Sequence, residues 1–202
     1  MHIDDFLKNN FKDFKKIKKD GEFFNYFEID EIPDGRILMT SGLSQCKMNV
    51  HEKHKGEEYA ELFFLLPSYW KEEDLYLKEN EWIFPCLVKS KNHIEQENTW
   101  FGHGHTFSLK GLESPIFRSS KETHFIISDP IELRGILEPL KSEQNSIRFL
   151  AIIPIFKKEL YFKEARGTFK LFEKFRQYRV TEKMDGYRES VIQSRLIRLF
   201  KR

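Results

Sequence analysis

Residues 147–156 read IRFLAIIPIF, and this run constrains the fold more than any other part of the chain. It is rich in β-branched and aromatic side chains, which favour strands, and it is far shorter than the ~20 residues that a membrane-spanning helix needs. A strand this apolar is predicted to lie in the middle of a sheet. Pro154 has no N–H to donate, so we expect it at a strand end or at a bulge.

Other segments have the pattern of strands, and two of them predict a hairpin. Residues 22–29 (EFFNYFEI) are aromatic and roughly alternating, and Pro33-Asp34-Gly35 supplies turn chemistry before residues 36–40 (RILMT). Residues 58–66 and 123–128 are further predicted strands. Strands and helices are not regularly interleaved, which predicts an α+β fold: a single domain with a mixed, mostly antiparallel β-sheet flanked by helices.

Helical patterns occur in much of the remaining sequence, at residues 82–97, 157–165 and 168–178. At the N-terminus, residues 3–19 place apolar side chains at helical spacing with lysines between them, which predicts an amphipathic helix. Residues 190–202 predict a last helix with a basic surface. We therefore expect an N-terminal helix within residues 1–22 packed on a domain spanning 23–191, followed by a basic helical tail at 192–202.

Charge and cysteine content exclude several classes of protein. The 34 lysines and arginines nearly cancel the 32 acidic residues, and a net charge of +2 gives no global field for nucleic acid. The basic clusters near the two termini are predicted to be solvated helix faces. Cys46 and Cys86 are isolated, which suits a reducing compartment. The N-terminal segment lacks the features of a signal peptide, so we expect a cytoplasmic protein that contacts neither membrane nor nucleic acid directly.

The segment from Asn98 to Thr106 reads NTWFGHGHT and invites two interpretations. His103 and His105 are two residues apart, so in an extended segment they would face the same side and could form one arm of a zinc site. That site would need a third ligand, such as His51, His54, His124 or a glutamate, and none has a diagnostic spacing. Alternatively, the glycines fix a tight bend and the histidines are structural, which is the interpretation that we favour.

Other catalytic signatures are not found. The sequence has no GxSxG nucleophile elbow, no HExxH metal motif and no phosphate-binding glycine loop. The acidic runs at 57–58 and 72–74 are typical of a solvated edge or loop. The residues therefore favour a folded module that binds another molecule, without catalytic residues or a cofactor.

Six motifs in order resemble the suppressor of fused domain family. They are ILMTSGLS at 37–44, the strand 58–67 with Trp70 after it, the helix starting near Trp82, the NTWFGHGHT turn, RFLAIIP at 148–154 with KKEL after it, and DGYRESV at 185–191. The turn is the most specific of the six. His103 departs from the bacterial pattern, in which tryptophan is common at that position.

The resemblance implies a non-enzymatic protein-binding module. The chain is similar to the free-standing bacterial members of the family. Some of these members are immunity proteins or antitoxins that neutralise a polymorphic toxin, often a nuclease. We therefore predict an inhibitor that covers a cognate toxin. An adaptor that adds an extended peptide of a transcription factor or other partner to a sheet edge is the alternative, and a metal-dependent enzyme using His103 and His105 is the second alternative. The partner, its binding face and the oligomeric state are left open.

Two groups of residues are predicted to contact the partner. The resemblance points to Trp100, His103, His105, Asp185 and Arg188, and it also suggests an ion pair between Asp185 and Arg188. A basic cleft on a nuclease would need an acidic surface to meet it, for which the predicted residues are Glu57, Glu58 and Glu61, together with 72–74.

Overall fold

A mixed β-sheet forms the centre of the computed structural model, which describes residues 3–80, 82–108, 122–141 and 145–192. Its strands are β1 (Lys12–Lys19), β2 (Glu22–Ile29), β3 (Gly35–Thr40), β4 (Tyr59–Leu65), β5 (Thr106–Phe107), β6 (Glu122–Ser128), β7 (Leu140–Lys141) and β8 (Ser146–Phe156). The order across the sheet is β1-β2-β3-β4-β8-β6-β5, with β7 beside β8. The β4–β8 pairing is parallel, whereas the other described strand pairs are antiparallel.

Helices cover both faces of this sheet. They are needed on both because successive side chains of a strand point to opposite faces and β8 is apolar on both of them. The helices are α1 (Ile3–Asn10), α2 (Ile83–Glu97), α3 (Lys157–Arg166) and α4 (Thr168–Tyr178). Leu150 and Ile152 share a core cluster with α2. On the other face, Phe149 packs with α1 and Ile153 with α4. The predicted α+β architecture is therefore confirmed, and the apolar strand is indeed central.

The N-terminal segment differs from the prediction of one helix over residues 3–19. The helix ends at Asn10, whose side-chain amide donates to the Phe6 carbonyl at 2.8 Å, and residues 12–19 form the edge strand β1. Pairing with β2 overrides the helical spacing, and Ile17 becomes the buried residue of β1. The division at residue 22 stays a prediction, and the predicted helix at 190–202 lies mostly outside the described residues.

Pro154 lies near the end of β8, as predicted. The pairing of β8 with β4 ends at Ala151, so beyond that residue β8 has a described strand partner on the β6 side. A residue without an N–H is tolerated there because one side of the strand has no ladder to complete. None of the helices in the described part of the chain has the length and apolarity to cross a membrane.

Candidate functional site

The glycine–histidine turn links α2 to β5 and packs tightly on the sheet. Gly104 has φ of +88° and donates its N–H to the Ile127 carbonyl at 2.8 Å, which fixes the turn on β6. A Cβ at Gly102 would overlap the Trp100 indole, and a Cβ at Gly104 would lie 2.5 Å from Thr168 Cγ2. Both glycines are therefore required. Gly102 is required because the Trp100 indole covers it, and Gly104 because of its left-handed φ and its contact with α4.

The two histidines of the turn are held in different ways. The Asp129 N–H donates to Nδ1 of His103 at 3.3 Å, so that nitrogen carries no proton. Nδ1 of His105 lies 3.2 Å from the Trp100 carbonyl, which requires Nδ1 to be the donor. Burial lowers the pKa of both side chains below 6.5. His103 is therefore neutral at physiological pH, and its 3.6 Å approach to the Asp129 carboxylate is not an ion pair.

A shared face for His103 and His105 is not observed. The His103 ring packs on Phe172 at 4.4 Å, whereas the His105 ring packs on Trp100 at 4.4 Å. The left-handed Gly104 between them breaks the extended geometry that a bidentate arm would need. Within the described residues, no group of three or more His, Cys, Asp or Glu side chains is placed to hold a metal ion.

An ion-pair network fastens the turn to the start of β4. Arg148 of β8 contacts Glu57 through one guanidinium nitrogen, and its other nitrogen lies 2.6 Å from Asp129. Glu57 also approaches Nδ1 of His54 at 3.3 Å, and the His54 ring lies 4.5 Å from Trp100. Arg148 thus neutralises much of the charge of Glu57. Lys15 does the same for Glu72, with which it pairs.

Glu61 is not a surface residue, which corrects its assignment to an acidic face. It points inward from β4 and is fully buried. Its carboxylate accepts hydrogen bonds from the Gly42 N–H at 3.1 Å, from the Ser44 N–H and hydroxyl at 3.0 and 2.7 Å, and from the Thr40 hydroxyl. Glu61 therefore holds the SGLS turn against β4, and Glu58, which accepts from the Gly56 N–H, remains half-buried at the strand entrance.

Burial raises the pKa of Glu61 above 4.5, although its four hydrogen bonds oppose the shift. The folded state therefore favours the protonated form, so the contribution of Glu61 is complete below pH 4.5 and is lost as the pH rises through its folded pKa. We expect the free energy of unfolding of the wild type to fall relative to that of Glu61→Gln as the pH rises from 4 to 8. Urea unfolding at intervals of one pH unit measures this difference.

Glu58→Gln is the matched control for this titration, because it neutralises the neighbouring carboxylate of the same strand entrance. The stability difference between wild type and Glu58→Gln should change much less with pH. A wild-type advantage over Glu61→Gln that grew with pH would contradict the direction given for Glu61.

The predicted ion pair between Asp185 and Arg188 is wrong. Arg188 instead reaches two buried carboxylates, with its Nε 2.6 Å from Glu122 and its Nη2 3.0 Å from Glu159. It also donates to the Pro154 carbonyl at 2.7 Å. Asp185 is exposed and accepts from the Tyr187 N–H at 2.9 Å. Arg188 is therefore an internal clamp between the closing loop, β6 and α3.

Among the strands of the described residues, β5 is the last in the strand order, and it lies beside this turn. The Ile127 N–H donates to the His105 carbonyl at 2.8 Å, and Phe107 lies opposite Phe125. Because hydrogen bonds alternate along an antiparallel pair, Thr106 directs its N–H and C=O away from β6. Next to this edge is a groove of about 550 Å³. Polar and charged residues of α2 form most of its lining, and Phe101 and Phe107 are its apolar residues; the α2 residues are Lys89, Ser90, Asn92, His93, Gln96 and Glu97.

The turn, the SGLS motif and most of the closing loop lie within one segment that matches a known family. The profile of the family described as "Suppressor of fused protein (SUFU)" matches residues 23–189. The match covers most of the chain. The chain belongs to the suppressor of fused family, and the resemblance inferred from the six motifs is confirmed.

Solved structures show the same fold at low sequence identity. A SUFU homologue from Neisseria gonorrhoeae is 16% identical, with a TM-score of 0.61 over 96% of this chain and 94% of that one. The structure described as the Sufu–Fu complex gives 14% identity and a TM-score of 0.63 over 99% and 91%. Drosophila Suppressor of Fused gives 14% and 0.57, over 89% of this chain and 45% of that one. The comparison with curated proteins gives no match.

Proposed function

We propose that this protein is a non-enzymatic adaptor that binds an extended segment of another protein along the β5 edge. The observation that carries the proposal is that the Thr106 backbone is directed away from β6 on the last described strand of the sheet, beside a groove. An added strand gains backbone hydrogen bonds from such an edge and specificity from the neighbouring groove. The Sufu relative that forms a complex with Fu supports a protein as the partner.

The residues predicted to contact the partner divide into two groups under this proposal. Trp100, His103 and His105 shape the turn that leads into β5, so they position the docking edge. Asp185 remains an exposed predicted contact, whereas Arg188 acts through the stability of the closing loop.

The two cysteines, Cys46 and Cys86, are free thiols, which supports the prediction of a partner met in the cytoplasm.

Thr106→Pro tests the docking edge. Proline removes the outward N–H of Thr106 and leaves the hydrogen bonds of its neighbours to β6, so the fold should persist. We expect at least about tenfold weaker partner binding, because the lost hydrogen bond and the proline ring both oppose an added strand. The measurement is affinity capture from the source organism with quantitative mass spectrometry, followed by calorimetric titration of the purified partner.

Thr106→Val is the matched control because it keeps the N–H and the shape of the side chain. A partner should be captured by the wild type and by Thr106→Val but not by Thr106→Pro. A partner retained by Thr106→Pro would show that binding uses another surface.

The identity of the captured partner also decides between the adaptor and the toxin inhibitor. The family match and the solved structures favour the adaptor, and the antitoxin function stays a prediction. A secreted toxin as the captured protein would support inhibition, whereas a regulatory protein would support the adaptor.

A further inference from the structure

The α3–α4 hairpin has an excess of positive charge that the carboxylates of the described residues leave largely unneutralised. Between residues 157 and 179 there are eight lysines and arginines but three glutamates. Glu159 is buried against Arg188, and Glu173 pairs with Lys170 at 2.7 Å. Within the described residues, no carboxylate lies within ion-pair distance of the other hairpin cations. They are Lys157, Lys158, Lys163, Arg166, Lys174, Arg176 and Arg179.

The lysines of strand β1 provide a contrast within the same molecule. Lys12 pairs with Asp30 at 2.8 Å, Lys16 pairs with Asp4 at 2.5 Å, and Lys15 pairs with Glu72. Three of the five lysines on β1 are thus paired with a carboxylate, on a strand where lysines protect an edge. Most cations of the hairpin have no such carboxylate partner among the described residues. The surface of the hairpin is therefore suited to attract an acidic partner.

The hairpin also borders the proposed docking edge. Lys163 Nζ lies 3.5 Å from the Thr106 hydroxyl of β5, the Phe172 ring packs on His103, and the methyl group of Thr168 fills the space beside Gly104. Arg166 follows Lys163 by three residues, so the two cations share one side of α3. This part of the cationic surface therefore adjoins one face of β5.

The two residues of β5 point to opposite faces of the sheet, and each face has a different character. Thr106 faces Lys163 on α3. Phe107 faces the α2 layer, where its ring lies 5.4 Å from Phe101 and 5.1 Å from Phe125. A strand paired with β5 would alternate in the same way, with one set of side chains beside the cations and the other set beside Phe101 and Phe107.

We propose that the segment bound by β5 carries acidic side chains at alternate positions with apolar side chains between them. The acidic side chains face Lys163 and Arg166, and the apolar ones enter the groove between α2 and β5. This inference rests on the proposed docking function and specifies the chemistry of the partner. It commits to an acidic, extended protein segment because Lys163 and Arg166 would attract carboxylates and the edge of β5 offers a peptide backbone. The apolar side chains would contact Phe101 and Phe107, the two phenylalanines that line the groove.

The test begins with selection of random twelve-residue peptides against the wild-type protein. Peptides that bind the wild type but not the Thr106→Pro variant are kept for study. We expect these peptides to show Glu or Asp at every second position. A synthetic peptide with that alternation should bind about tenfold more tightly than its glutamine counterpart, as charge-assisted hydrogen bonds imply, and raised salt should weaken its binding.

Lys163→Glu is expected to weaken binding of the acidic peptide by at least about tenfold and to leave the glutamine peptide nearly unaffected. Lys18→Glu makes the same charge change on β1, at the far edge of the sheet, and should change neither affinity by more than about twofold, since screening attenuates distant charges. Fluorescence anisotropy at low and at physiological salt measures all four combinations.

The outcomes separate the two proposals. Peptides that require the Thr106 N–H but show no acidic alternation, or that bind Lys163→Glu normally, would overturn this inference and leave the docking function intact. Failure to select any peptide that depends on Thr106 would overturn both. Tighter binding of a single-stranded oligonucleotide than of the acidic peptide, lost in Lys163→Glu, would also overturn the inference, because the hairpin would then serve nucleic acid.

Discussion

Replacing Arg188 by methionine is expected to lower the free energy of unfolding by about 3–5 kcal/mol, because it leaves Glu122 and Glu159 as buried carboxylates without their shared cation. Methionine retains much of the packing volume of the arginine, so the loss reports mainly on the charge. The change also removes the donor to the Pro154 carbonyl. Urea denaturation followed by circular dichroism measures the effect.

Arg176→Met is the matched control, since Arg176 is exposed on α4 and has no carboxylate within ion-pair distance among the described residues. Its effect should stay within about 0.5 kcal/mol. Partial recovery of stability in Arg188→Met/Glu159→Gln would follow if the loss comes from the buried negative charge that Arg188 no longer offsets. A loss below about 1 kcal/mol for Arg188→Met would show that the clamp has the energy of an exposed ion pair.

Gly104→Ala is expected to destabilise the protein by about 2–5 kcal/mol through two effects that add. A left-handed φ of +88° costs a residue with a Cβ about 1–2 kcal/mol. The new methyl group would also lie 2.5 Å from Thr168 Cγ2, and relieving such an overlap typically costs about 1–3 kcal/mol. Thermal and urea unfolding measure the total.

Gly135→Ala separates the two effects because Gly135 has nearly the same φ, +86°, and open space around its Cβ position. It should cost only the backbone contribution. Gly104→Ala/Thr168→Ala should recover part of the steric contribution. Equal losses in Gly104→Ala and Gly135→Ala would mean that α4 moves aside at no cost and that the turn is not tightly packed against it.

Much of the fold was predictable because local patterns and tertiary structure agree. The apolar β8, the hairpin of β2 and β3, and helices α2, α3 and α4 all follow from periodicity and turn residues. Strand β1 was not predictable, because KDFKKIKK has helical spacing and becomes a strand through pairing with β2. Edge strands with many lysines give a weak alternation signal, so tertiary contacts decide their structure.

The candidate site was predictable in its local geometry but not in its long-range partners. The glycines of NTWFGHGHT indicated a bend, and the bend is present. By contrast, the carboxylates that hold Arg188 lie 29 and 66 residues away in the chain, and Asp185, three residues away, was the obvious but incorrect choice. Glu61 was misassigned for the same reason, since its partners at Gly42 and Ser44 are 19 and 17 residues distant.

The unequal borders of the sheet have a consequence for assembly. The lysine-covered border at β1 disfavours strand addition, whereas the short border at β5 is the proposed acceptor. Where β5 is the border that accepts a strand, one molecule binds one extended ligand through it. The proposed complex should therefore form with one-to-one stoichiometry and stay discrete as its concentration rises.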